Sequence, residues 1–168
     1  MAVLPELRVS EILGLLTARG VDFVVVGGIA AVLHGSPSLT RDLDICFADD
    51  PANLEALGLV LEELQARLRG VEEDVPFVPD ARTLSQTQIL TLETSAGPLD
   101  LMTRPDGAPP YDKLRGNAER MEVGGFAVLV ASIEDLIVMK AAVARPKDLL
   151  AVEELETIRD LRRRGIGA

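Results

Sequence analysis

Tryptophan is missing from this chain, and aromatic residues amount to four Phe and one Tyr among 168 residues. Stacking platforms for single-stranded nucleic acid need aromatic faces, so that class of binder is disfavoured. The core has to be built from Leu, Val, Ile and Ala. One cysteine, Cys46, excludes an internal disulfide and a cysteine-based metal cluster. It reads as a small packing residue, because nothing near it in sequence would acidify it. One histidine, His34, reads as a helix-end residue bonded locally rather than as a catalytic base. Positive charge is in deficit, with 17 Lys and Arg against 27 Asp and Glu and a net charge of −10. That works against broad attachment to nucleic acid, which depends on neutralising phosphates. Two local basic clusters remain, Arg159, Arg162, Arg163 and Arg164, and Lys113, Arg115 and Arg120; each reads first as solvated surface. The longest uncharged apolar run, Phe23 to Leu33, is about half what a bilayer crossing needs. The segment Met1 to Ser10 lacks the basic-then-apolar order of a signal peptide. A cytoplasmic protein with no membrane partner is expected. Neither G-x-x-x-x-G-K-[ST] nor G-x-G-x-x-G occurs, so the P-loop and dinucleotide fingerprints do not apply.

What the chain does have is a spacing. The run Val21 to Val26 ends in Gly27-Gly28, and thirteen residues later Asp42-Leu43-Asp44 opens a second apolar run to Phe47. Residues two apart on a strand project to the same side, so Asp42 and Asp44 project together while Leu43, Ile45 and Phe47 face the other way. Paired carboxylates repel unless a cation sits between them, and Mg²⁺ favours such oxygen ligands while keeping room for phosphate. Glycines let a ligand approach the backbone, and the N-terminus of the helix that follows suits phosphate. Asp100 lies inside Leu99-Asp100-Leu101-Met102. A carboxylate midway along an apolar strand is costly unless paired or metal-bound. If its strand lies beside Asp42–Phe47, three carboxylates converge as two-metal phosphoryl or nucleotidyl transfer requires. Lys140 is the only charge past the first turn of an otherwise apolar helix, and a lysine there snorkels out or meets an anion.

Periodicity predicts helices over Pro5–Arg19 and Ile29–Leu33, and one from Pro51 whose stripe of Leu54, Leu57, Leu61, Leu64 and Leu68 runs to Gly70. Strands are expected over Val21–Val26, Asp42–Phe47, Gln88–Thr94, Leu99–Thr103 and Phe126–Val130, with a short one near Pro76–Val78. Tyr111–Asn117 reads as a short helix. Ser132 and Asp135 have the form of a capping box opening a helix to Ala144, and Pro146 separates it from a last one. The order implies an α/β (α+β) fold, a mixed sheet flanked by helices. It should form a single domain over 1–168, with helices in 132–164 packed on it.

The pattern Val26-Gly27-Gly28, then Asp42-Leu43-Asp44-Ile45, then Leu99-Asp100-Leu101 resembles the nucleotidyltransferase superfamily typified by DNA polymerase beta. The stretch Gly28-Ile29-Ala30, His34-Gly35 and Thr40-Arg41-Asp42-Leu43-Asp44-Ile45 is closer still to small bacterial nucleotidyltransferases, including the AbiEii-type toxins of toxin–antitoxin systems. Lys140 and Arg145-Pro146-Lys147-Asp148 resemble that group's later motifs. The resemblance implies that Gly27 and Gly28 bind the triphosphate, that Asp42, Asp44 and Asp100 hold Mg²⁺ in a two-metal site, and that Lys140 and Asp148 contact nucleotide or complete the site. Thr40, Arg41 and Lys147 fall among the nucleotide-binding positions. Two positions depart from the pattern: Ser38 stands where relatives often carry Arg, and Ala151 where they often carry a second Asp.

The expected activity is Mg²⁺-dependent transfer of a nucleoside monophosphate from an NTP to a hydroxyl. The acceptor is an RNA end, tRNA foremost, or a protein, and a cognate toxin or antitoxin is the expected partner. The alternatives are an aminoglycoside-type small-molecule acceptor and a non-catalytic binding module or antitoxin that retains the fold. A sugar-nucleotide transferase using Asp-x-Asp is opposed by the short chain and the early Gly pair.

Overall fold

The computed structural model describes residues 6–72 and 75–167. Four consecutive apolar residues, all buried, make β1 (Phe23–Val26) the strand about which the sheet is built. β2 (Leu43–Phe47) pairs with it antiparallel and β7 (Phe126–Val130) pairs with it parallel. Beyond β2 come β5 (Gly97–Met102), parallel to it, then β4 (Ile89–Thr94) and the two-residue β3 (Arg67–Leu68), both antiparallel to their neighbours. Beyond β7 lies β6 (Glu119–Val123). The order β3-β4-β5-β2-β1-β7-β6 is a mixed sheet, as the element pattern implies. Helix α1 (Val9–Ala18) packs on β7 and α3 (Pro51–Glu63). Helix α2 (Gly27–His34) packs on β1 and β2, and against α6 (Ile133–Val143) and α7 (Pro146–Arg163). The short α4 (Ala81–Ser85) lies against α3, and α5 (Tyr111–Asn117) against β1.

The core is aliphatic. Leu43 and Ile45 of β2 and Leu99 and Leu101 of β5 are almost completely buried, and each contributes about 1.5–3 kcal/mol relative to exposure. Their parity fixes the register, since a one-residue slip would place Asp44 among them. Ser132 caps α6, its hydroxyl accepting from the Asp135 N–H at 3.1 Å, while the Asp135 carboxylate accepts from Asn117 instead of completing the expected capping box.

Several expectations change. The first helix starts at Val9; the proposed start at Pro5 lies outside the described residues. The helix after β1 begins at Gly27, so both glycines belong to its first turn. Helix α3 ends at Glu63, because Gln65 adopts a left-handed φ of 51°, and Leu68 then enters edge strand β3. Residues 76–78 form no strand but lead into α4, capped by Asp80. Glu119–Val123, too charged to read as a strand, forms one by pairing with β7 around a Gly124-Gly125 turn.

Candidate active site

The parallel pairing of β2 and β5 sets Asp44 directly opposite Asp100. The two carboxyls sit close enough to share a hydrogen bond, and burial there disfavours ionising both. Burial pushes Asp44 up to about 7; the Asp100 charge, the shared hydrogen bond and Asp42 add to the rise, and Lys140 opposes it. Burial also raises Asp100, against the pull of the Arg69 guanidinium. Asp42 sits one residue ahead of β2, close enough for its charge to bear on both.

The glycines are shaped to this cluster. Gly27 has a φ of 69°, and a Cβ there would run into the Asp44 carboxyl. A Cβ on Gly28 would come within 2.7 Å of Thr40 Oγ1. The start of α2 therefore lies directly against Asp44 and Thr40, and its free N–H groups open toward the acids. Lys140 meets an anion: its Nζ is 3.6 Å from Asp148 Oδ1, while Arg145 Nε lies 2.6 Å from Asp148 Oδ2. Asp148 is buried, and the hydrogen bond from Arg145 holds its carboxyl below the usual range.

Two cavities flank the cluster and share Asp44, Asp100, Lys140, Arg145 and Asp148. One, about 360 Å³, is polar and adds Gly28, Ser36, Ser38, Thr40, Asp42 and Lys147. The other, about 260 Å³, is walled by Val26, Ile89, Met102, Leu136, Met139 and Val143. Of the residues singled out from sequence, Gly27, Gly28, Thr40, Asp42, Asp44, Asp100, Lys140, Lys147 and Asp148 all line one cavity or both. Arg41 is exposed and lines neither. Ser38 donates to Glu154 at 2.9 Å, beside Ser36 at 2.7 Å, so the loop before Asp42 is strapped to α7. His34 is buried, with Nε2 2.8 Å from the Ala131 carbonyl, so its partner lies 97 residues on rather than nearby in the chain as expected. The Cys46 thiol donates to the Thr103 carbonyl, and burial pushes it up to about 12, so it is no nucleophile at neutral pH.

Sequence reasoning missed Arg69, which follows β3. Its Nη2 lies 2.9 Å from Asp100 Oδ1, its Nε 3.2 Å from Glu93 Oε1 and its Nη1 3.9 Å from Asp42 Oδ1. Arg69 Nη2 also donates to the Leu92 carbonyl at 2.9 Å. A stripe read as helical through Leu68 hid it, since an arginine at a helix end carries no signal.

The donor set suits a hard divalent cation. It is all carboxylate, and Asp100 Oδ1 is buried with no hydrogen-bond partner despite its nearness to Arg69. Among the described residues no three ligating side chains converge closely enough to grip an ion as they stand. The Arg69 charge now offsets these oxygens in part, and Asp44, raised by burial and by Asp100, must be ionised to ligate.

Residues 16–161 match the model of the AbiEii family, described as a nucleotidyl transferase toxin of a type IV toxin–antitoxin system. The chain belongs to the AbiEii family. It is a nucleotidyltransferase, and family membership brings an NTP donor and a toxin–antitoxin setting. Comparison with curated proteins finds no match. Solved structures show the AbiEii chain to share the nucleotidyltransferase fold. The lincosamide antibiotic adenylyltransferase LnuA, lincomycin-bound, is 17% identical with a TM-score of 0.62, over 91% of this chain and 99% of that one. ANT(2″)-Ia in complex with adenylyl-2″-tobramycin is 19% identical with a TM-score of 0.54, over 90% and 91%. A nucleotidyltransferase-like protein from Paracoccidioides brasiliensis is 18% identical with a TM-score of 0.55, over 91% and 74%. No helix among the described residues is long and apolar enough to cross a membrane.

Proposed function

We propose that this protein transfers a nucleoside monophosphate from an NTP to a hydroxyl acceptor with Mg²⁺ and releases pyrophosphate. The observation that carries this reading is the Asp44–Asp100 pair facing the start of α2, with Lys140 behind it. The triphosphate lies in the polar cavity, against the N–H of Gly28, the Thr40 hydroxyl and Lys147, with Gly27 lining the apolar cavity beside it. Asp42, Asp44 and Asp100 hold the metal, which supplies Lewis-acid stabilisation of charge at the phosphoryl oxygens. Asp100 takes the acceptor's proton as its oxygen attacks the α-phosphorus. The bond to the bridging oxygen breaks, and pyrophosphate leaves with the electron pair. Lys140, held by Asp148, offsets charge on the phosphates.

The acceptor we infer is an RNA end, tRNA foremost, or a protein hydroxyl, with a cognate antitoxin as partner. Exposed Arg163 and Arg164 past the acidic body support an RNA. A second reading, a small-molecule hydroxyl, is favoured by the apolar cavity beside Asp100 and by neighbours whose names carry lincosamide and tobramycin chemistry. Incubation with Mg²⁺ and each labelled NTP, offering total RNA, protein extract and an antibiotic panel in parallel, tests both. Label should appear on one acceptor class and vanish in Asp42→Ala and Asp100→Ala. Label that survives Asp100→Ala would remove the assigned site.

A further inference from the structure

Arg69 places a guanidinium against the Asp42 and Asp100 carboxylates of the site, and the activity does not call for it. Its fork spans acids from three places in the chain: Asp100 on β5 at 2.9 Å, Glu93 on β4 at 3.2 Å and Asp42 ahead of β2 at 3.9 Å. It is anchored from behind. Glu93 is buried, and the Leu92 carbonyl accepts from Nη2. An arginine held by one backbone hydrogen bond and a buried counter-charge does not leave its post cheaply. Yet the fit is incomplete: the buried Asp100 Oδ1 faces Nη2 without hydrogen-bond geometry, and the buried Arg69 Nε and Glu93 Oε2 have no hydrogen-bond partner. The charges match while the directions do not, which leaves Asp100 a lone pair for another cation.

We propose that Arg69 is a fixed internal counter-ion that competes with the divalent metal for Asp42 and Asp100 and so sets the metal affinity of the site. The inference rests on the metal reading given above. The guanidinium lies against two of the three oxygen ligands, so an arriving ion meets its positive charge at short range, where the effective dielectric constant is far below that of water. Arg69 also keeps Asp100 and Glu93 from repelling each other across β4 and β5 while no ion is bound. One side chain thus stabilises the metal-free site and weakens its grip on the metal. This makes Arg69 a positioning residue, not a catalytic one.

The test is Mn²⁺ binding, followed by the electron paramagnetic resonance of the free ion at low ionic strength, on the wild type, Arg69→Gln, Arg69→Ala and Arg69→Lys, with circular dichroism to verify folding. Gln drops the charge while keeping a polar side chain of intermediate length, and it serves if Ala fails to fold. The neutral variants should bind Mn²⁺ tighter by ~10-fold, and Arg69→Lys should stay near the wild type. In turnover, the neutral variants should need less Mg²⁺ for half-maximal rate even where kcat falls. Neutral, folded variants with unchanged or weaker Mn²⁺ affinity would overturn the proposal while leaving the metal site itself intact. If wild type and neutral variants all fail to bind Mn²⁺, the metal reading and this inference fall together. Binding that appears only in the neutral variants supports both.

Discussion

Asp44 couples protonation to folding. Its carboxyl stands at about 7 in the fold, against 3.8 when free, chiefly because of burial and then because of Asp100. Between those values the folded chain holds a proton that the unfolded chain has released. Stability therefore falls as pH rises from about 4 through 7 and the contribution is gone above it. The metal-free protein should lose melting temperature over this window, and Asp44→Asn should flatten that part of the profile in thermal melts across pH. The same residue shows what strand parity reveals. Asp42 and Asp44 could be placed on one side, and Asp100 beside them, because alternation and the cost of a buried charge are local rules. Arg69 could not, because its partners Asp42, Glu93 and Asp100 are distant in sequence and meet only through strand pairing.

The elements that carry the site were legible where one force dominated. β1 is a continuous apolar run, β2 is apolar but for Asp44, and α6 has its cap. Legibility failed where tertiary contact overrode pattern. A leucine stripe continued past α3, but a left-handed Gln65 turned the chain into β3. Charged Glu119–Val123 became a strand only because β7 offered an edge. The loop between α2 and β2 belongs to this second kind. Ser36 and Ser38 both donate to Glu154 of α7, which pins the segment bearing Thr40 beside Gly28. The hydroxyl at Ser38, where the family pattern often has Arg, is thus used in a strap. Glu154→Ala should free that loop, raising KM for the NTP several-fold with little change in kcat and a loss of stability of about 1 kcal/mol, as expected for hydrogen bonds to a charged acceptor that is part exposed. Steady-state kinetics with varied NTP and a denaturant melt check it; a fall in kcat with KM unmoved would put Glu154 elsewhere in the cycle.

At the scale of the molecule, the net charge of −10 and the position of the basic residues set what each acceptor would have to touch. Arg162 is engaged with Glu119 and the His34 carbonyl, and Arg159 with Asp160. Arg163 and Arg164, at the exposed end of α7, are the arginines of that cluster most available to a phosphate backbone. An RNA acceptor held against an acidic body has to lean on them, and its affinity should fall steeply with salt. Replacing both with Glu should cut RNA labelling by about tenfold at low salt and flatten its salt dependence, since each lost phosphate contact removes close to one unit of slope. The donor half of the reaction lies at Asp44 on the central strand β2 and at Lys140, so NTP binding should be unchanged. A small molecule seated in the apolar cavity between Ile89 and Met139 touches neither arginine, and its labelling should be insensitive to the double substitution. Parallel salt series on the two proteins with labelled NTP separate these outcomes by slope alone, before the acceptor is purified.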